Sequence, residues 1–329
     1  METKIWPITG RLTAANRWDH VLARCGYRRG DHRVRPGLYA LGRPTPESPV
    51  FVTANYTLSF DALRSALAGR DAYILALDTK GINVWCAAGK GTFGTVELIR
   101  RVKVTRLAEV VSHRTIILPQ LGAAGVSAQA IENRLGFRVE YGPVRAGDLP
   151  EYLKTHQATP EMRRVTFTLA ERAVLIPVEV LHLGMPLLTL AALGFFGVLP
   201  LVAFGGVAAL LAGAAVFPIL LPWLPSKDYS VKGWLLGLVA VAPFAYAGAA
   251  AAVNRGGPWW AWLEPLALML GLPAITAYLS LNFTGATPWT SKTGVKKEIA
   301  RYVPIMIGLA ASGVLALGLG IALNLIKAR

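Results

Sequence analysis

The stretch Ala72-Tyr73-Ile74-Leu75-Ala76-Leu77-Asp78-Thr79-Lys80-Gly81-Ile82-Asn83-Val84-Trp85-Cys86-Ala87-Ala88-Gly89-Lys90-Gly91-Thr92 passes from an unbroken apolar run, through a polar turn, to very small residues around a cysteine. An apolar run without alternation, closed by Asp-Thr-Lys-Gly, predicts a strand buried on both faces. Asn83 stands where a helix starts, and its side-chain oxygen can accept from the backbone N–H of Trp85 or Cys86. That cap puts Cys86 in the first helical turn, where the helix dipole stabilises anions. Lys90 follows four residues later on the same face. Ala87, Ala88 and Gly89 keep the surroundings free of bulk, so that something large and flat can come close. Trp85 is expected to anchor the short helix by packing on the domain.

Working outward, Pro49–Ala54, Thr115–Leu118 and Phe137–Tyr141 read as further strands. Helical spacing runs over Ser59–Ala68, Thr95–Lys103, Ser127–Leu135 (with Ser127 as N-cap) and Asp148–Thr155. Short apolar strands alternating with helices predict a parallel sheet covered on both faces. Ligands of such sheets bind beyond the carboxyl ends of the strands, here the loops Asn55–Ser59, Thr79–Gly94, Pro119–Gly125 and Gly142–Gly147. Residues 1–45, rich in Arg, Gly and Pro, read as an irregular arm packed on the domain.

Charge and hydropathy divide the chain. Up to Arg172 there are 25 basic and 15 acidic residues, which describes a water-soluble domain; beyond it the sequence is nearly all apolar. Five stretches are long enough to span a bilayer, approximately 174–194, 198–221, 232–253, 259–281 and 303–326. With the first domain inside, inner loops hold Lys227, Lys232, Lys292, Lys296, Lys297 and Arg301, and outer segments hold Arg255, Lys327 and Arg329, as the positive-inside rule requires. The N-terminus has no apolar core of signal-peptide length. The expectation is a multi-pass protein of the cytoplasmic (inner) membrane, with residues 1–160 as a cytoplasmic domain, 161–173 as linker and 174–329 in the membrane. A net charge of +15 invites a nucleic-acid reading, but the basic residues are scattered and do not interleave with aromatics, and anionic headgroups explain them more simply. Glu179 and Glu264 fall close to span ends, where they reach water.

Cys86 is one of two cysteines. A buried core cysteine is the common alternative, but a capped turn followed by Ala-Ala-Gly-Lys-Gly is a poor core segment. Gly89-Lys90-Gly91-Thr92 fails the spacing of a phosphate loop, and Gly81 reads as turn punctuation. Cys25 lacks a helix start and a lysine four residues on, and reads as structural. No C-x-x-C occurs, so no zinc ribbon or iron–sulfur cluster is expected on this chain. None of His20, His32, His113, His156 and His182 sits in Asp-x-His-x-x-Gly.

Asn83-Val84-Trp85-Cys86-Ala87-Ala88-Gly89-Lys90 closely resembles the mercury-methylating corrinoid protein family (HgcA). So do Leu77–Ile82, Gly91–Thr95, Ile117–Ala123, Phe137–Arg145 and the layout of a soluble domain followed by five spans. The resemblance implies an α/β Rossmann-like corrinoid-binding domain followed by an all-α transmembrane domain of five helices. It implies a cap helix with Cys86 as lower axial ligand to the cobalt of a cobalamin or related corrinoid. Asn83, Val84, Trp85, Ala87, Ala88, Gly89 and Lys90 would surround it, with Gly91 and Thr92 following. Tyr56, Thr57, Ser59 and Gly122 are further candidate contacts, by their place in the strand-end loops. The implied activity is transfer of a methyl group from methyl-Co(III) to Hg(II). The implied partners are a ferredoxin with two [4Fe–4S] clusters and a methyl donor protein or methyltetrahydrofolate-dependent methyltransferase.

Thiolate ligation suits that activity. Hg(II) is an electrophile, so the methyl must arrive with electrons, and an electron-rich ligand opposite it favours carbanion-like release. The cobalt must then regain two electrons, or one if the methyl leaves as a radical, and the chain carries no other redox centre. Two alternatives stay open: a corrinoid methyl carrier with a different natural acceptor, and a thiol-based membrane metal-binding or transport protein without corrinoid.

Overall fold

The computed structural model describes residues 4–327 and divides into two compact units, residues 1–166 and 167–329. In the first, six strands form one sheet: β1 (Ile5–Ile8), β2 (Gly37–Leu41), β3 (Val50–Ala54), β4 (Ala72–Leu77), β5 (Thr115–Leu118) and β6 (Arg138–Tyr141), in the order β1-β2-β4-β3-β5-β6. β4, β3, β5 and β6 run parallel to one another. The chain reverses its lateral direction between β3 and β5, the switch point at which ligands bind in such sheets.

The expected four strands are present within a residue at each end. Two expectations need correction. Residues 1–45 are not an irregular arm: they hold β1, α1 (Ala14–Arg24) and β2. The sheet is also mixed, because β2 lies antiparallel to β4 and carries β1 parallel to itself. β1 is only four residues long and contains Pro7, which an edge strand tolerates. α1 is fastened at its start by a capping box between Thr13 and Asn16. A buried ion pair then ties this layer down: Arg64 Nε donates to Asp61 Oδ1 at 2.6 Å, and its Nη1 donates to the carbonyls of Thr9 and Arg11.

Alternation along β4 shows how the sheet is buried. Tyr73, Leu75 and Leu77 face one core with Leu98, Val102 and Ile131. Ile74 and its neighbours Ala72 and Ala76 face the other with Phe60, Leu63, Leu149 and Tyr152. The first layer is made by α3 (Val84–Lys90), α4 (Thr95–Val104), the single turn α5 (Leu107–Val110) and α6 (Ala128–Leu135). Ser127 caps α6 by accepting from the Ala130 amide. The second layer is α2 (Thr57–Ala66) and α7 (Leu149–Thr155).

The second unit is helical. By length and composition four helices could cross a membrane: Pro200–Leu220, Tyr229–Asn254, Trp259–Ala286 and Thr293–Lys327. Where a single first span was expected, Leu169–His182 and Gly184–Phe195 form a pair bent by 66°, so the count is four, or five if the pair is one span. Pro186 sits at the start of the second member and has no N–H to continue the helix across Leu183. Small residues set the packing: a Cβ on Gly313 would lie 2.9 Å from Gly271 Cα, so two backbones touch there.

Candidate functional site

Asn83 is the N-cap of α3, and its Oδ1 accepts from the Cys86 amide at 2.9 Å. The cap therefore fixes the backbone of the cysteine itself. Val84, Ala87 and Ala88 are buried against Phe93 and the sheet, while Cys86, Gly89 and Lys90 face outward. Three buried positions on one side leave the thiol on the other, as helical spacing requires. Gly91 ends the helix in the left-handed conformation, φ 82°. A Cβ built on Gly89 or Gly91 meets nothing within 4 Å, so the ground beside the sulfur is open.

Trp85 does not anchor the helix. It is 38% exposed and lines an apolar cavity of about 270 Å³. Anchoring falls to Val84, Ala87 and Ala88, whose small or branched side chains fit flush between helix and sheet. That cavity lies at the switch point. Its walls come from all four expected strand-end loops, with Ser59, Asn83, Pro119, Leu121, Gly142 and Val144 among them. A second cavity of about 390 Å³ lies against the thiol, lined by Arg29, His32, Tyr56, Lys80, Cys86 and Lys90. Asn83 borders both, so α3 stands between two cavities.

Of the four expected loop contacts, Ser59 lines the first cavity and Tyr56 the second. The Thr57 hydroxyl donates to Asp19 Oδ2 at 2.7 Å. Gly122 is buried under the Phe93 ring, where an added Cβ would come within 2.5 Å of a ring carbon. Ala87 and Thr92 are joined through the Thr92 amide, which donates to the Ala87 carbonyl at 3.0 Å.

Two groups escaped the sequence reading. Asn55, 1% exposed at the end of β3, accepts at Oδ1 from the Thr79 amide, the Thr79 hydroxyl and the Gly81 amide at 2.9–3.1 Å. It holds the turn that leads into α3. The second group is Asp19 with His32. Burial opposes charge on His32, but the Asp19 carboxylate and the Tyr27 carbonyl outweigh it and raise its pKa. Burial likewise opposes charge on Asp19, but the Thr57 hydroxyl and His32 prevail and hold its carboxyl below the ordinary value. Neither group lies in a recognisable motif; the signal for Asn55 is a polar residue directly after a fully buried strand.

Among the described residues no three His, Cys, Asp or Glu side chains converge on a point. A lone thiol cannot enclose a metal ion, but it can complete the coordination of a metal that another ligand frame already holds. The open surface over Cys86 leaves room for such a frame.

Residues 28–153 match the family model described as the CO dehydrogenase/acetyl-CoA synthase delta subunit. Curated relatives agree. The acetyl-CoA decarbonylase/synthase complex subunit gamma of Archaeoglobus fulgidus is 32% identical over 124 residues, covering 37% of this chain and 26% of the relative. That of Methanopyrus kandleri is 34% identical over 129 residues, 38% of this chain and 27% of the relative. That of Methanocaldococcus jannaschii is 30% identical over 156 residues, 46% and 30%. The chain thus spans about a quarter to a third of the length of these relatives. The matched segment contains β2 to β6 and the whole of α3 with Cys86. These descriptions name acetyl-CoA chemistry; none of them names mercury.

Proposed function

We propose that the first unit is a corrinoid-dependent methyl-transfer domain in which Cys86 would hold the cobalt of the cofactor, and that the second unit anchors it in the cytoplasmic membrane. A cobalt corrinoid, when bound, supplies a cobalt–carbon bond whose methyl group can pass to an acceptor. The observation that carries the reading is the outward thiol of Cys86, with its backbone fixed by Asn83, on a helix set between two cavities. The likeness of residues 28–153 to acetyl-CoA decarbonylase/synthase subunits supports a methyl-handling role.

The residues divide the work. Asn83 holds the start of α3, and Asn55 holds the turn before it, so the backbone that carries the sulfur is fixed. Lys90 and Lys80 line the cavity beside the sulfur. Gly89 and Gly91 leave the approach clear. The apolar cavity at the switch point, with Ser59, Trp85 and Val144 in its walls, suits the flat base at the end of the cofactor's tail. The Cys86 sulfur would be an electron-rich ligand to that cobalt, and Hg(II) is the acceptor proposed here. Electrons for the next turnover come from a separate ferredoxin-like protein.

Reconstitution of the full chain with cobalamin tests this. Cys86→Ala is expected to lose the cobalt–sulfur absorption and all methylation of Hg(II). Cys86→His is expected to keep the corrinoid but to methylate Hg(II) poorly. A fully active alanine variant overturns the axial-ligand role. The relatives favour one second reading, a methyl carrier with a different acceptor: loaded protein that passes its methyl to another acceptor faster than to Hg(II) would establish it.

A further inference from the structure

The cavity beside Cys86 carries more charge than the proposed reaction uses. His32 is 5% exposed, and both its ring nitrogens face acceptors: Nδ1 lies 2.7 Å from Asp19 Oδ1, and Nε2 lies 2.6 Å from the Tyr27 carbonyl oxygen. A carbonyl cannot donate, and neither can an ionised carboxylate, so both nitrogens carry hydrogen and the ring is an imidazolium. Asp19 matches that charge, and its other oxygen is occupied by Thr57. The same cavity is lined by Arg29, Lys80 and Lys90. None of the three makes an ion pair or a side-chain hydrogen bond among the described residues, and no Asp or Glu lines the cavity. Lys80 is also held in place. Its backbone is left-handed, φ 57°, and Asn55 grips the residues on both sides of it. Three unmatched cations around an exposed thiol, one of them on a fixed turn, favour negative charge at this place.

We propose that this cavity seats one oxyanion, a phosphate or a carboxylate, of a molecule that meets Cys86. On the corrinoid reading the oxyanion has two possible sources: the phosphodiester in the tail of a complete corrinoid, or a carboxylate on the thiol ligands that deliver Hg(II). The seat itself does not depend on that reading, because it is defined by the cations and the sulfur alone.

The test is alkylation of the full-length protein by iodoacetate, which carries a carboxylate, and by neutral iodoacetamide. In both cases the Cys86 sulfur bonds to the methylene carbon and iodide leaves. The iodoacetate-to-iodoacetamide rate ratio at Cys86 should fall about tenfold in the Arg29→Gln, Lys80→Gln double variant, the size of a lost charge-assisted contact, while the ratio at Cys25 stays constant. Two further measurements assign the source. If the phosphodiester is seated, the preference for cobalamin over cobinamide, which lacks that group, falls about tenfold in the same variant. If the acceptor is seated, both corrinoids bind as in wild type, and KM rises for Hg(II) given as its thioglycolate complex but not as its neutral mercaptoethanol complex. An unchanged alkylation ratio overturns the seat. A changed ratio with neither further shift overturns its part in the reaction. Wild-type protein that binds no corrinoid overturns the corrinoid reading, and the alkylation ratio still decides the seat.

Discussion

Two asparagines place one sulfur. Asn83 accepts from the Cys86 amide, and Asn55 gathers three donors from the turn before it. Replacing Asn83 by Ala removes a helix cap and should lower the stability of the first unit by about 1 kcal/mol in urea unfolding. Asn55→Ala should cost more, about 1–3 kcal/mol, because buried donors lose their acceptor. The first residue is legible in the sequence because cap and amide are three positions apart. The second was visible only as part of a loop, because its partners are 24 and 26 residues away. A pH signature belongs to this scale too. The raised pKa of His32 contributes stability that is fully present below the ordinary histidine value and is lost as pH rises through the folded-state value. The depressed pKa of Asp19 contributes stability present above the ordinary aspartate value and lost as pH falls through its folded-state value. Unfolding midpoints of wild type and His32→Gln should therefore converge as pH rises past the His32 titration; a constant gap would mean that the imidazolium contributes nothing.

At the scale of elements, the α3–α4 loop and the loop after β5 are pressed together. A Cβ on Gly125 would stand 2.1 Å from the Phe93 carbonyl oxygen, and one on Gly122 would strike the Phe93 ring. Gly125→Ala should destabilise the first unit by about 1–3 kcal/mol, since backbone rather than a flexible side chain must move. Gly91→Ala meets nothing, and should cost only the left-handed strain of about 1–2 kcal/mol. Thermal unfolding of both variants separates crowding from strain: Gly125→Ala should lower the midpoint further than Gly91→Ala. β3, β4 and β5 were readable as short, mostly apolar runs, and β6 as an alternating one. β1, α1 and β2 were not, because Pro7 and the dense arginines mask a four-residue edge strand and a helix with one buried residue, Ala23. The antiparallel pairing of β2 with β4 is a long-range choice that no local pattern encodes. Trp85 was misplaced for a related reason: burial of a large aromatic is a fair expectation, but α3 is seven residues long and already has Val84, Ala87 and Ala88 on its inner side.

At the scale of the molecule, the chain is two self-contained bodies joined between Thr166 and Phe167. Each core is made of residues from its own unit, the first from a sheet with two helical layers and the second from close-packed apolar helices. Residues 1–166 expressed alone should therefore remain soluble and unfold in one cooperative step, whereas the full chain should sediment with membranes and be released by detergent but not by alkaline carbonate. Full release by carbonate would rule out the spanning role proposed for the long apolar helices.

The family match begins at residue 28, after β1 and α1. Yet Ala23 from α1 forms part of the wall beside Cys86, and Asp19 from the same helix orients His32 within it. One flank of the chemistry is thus furnished by a segment that lies before the matched residues. Substitutions along that single helix would therefore retune what reaches the sulfur while the sheet and α3 stay as they are.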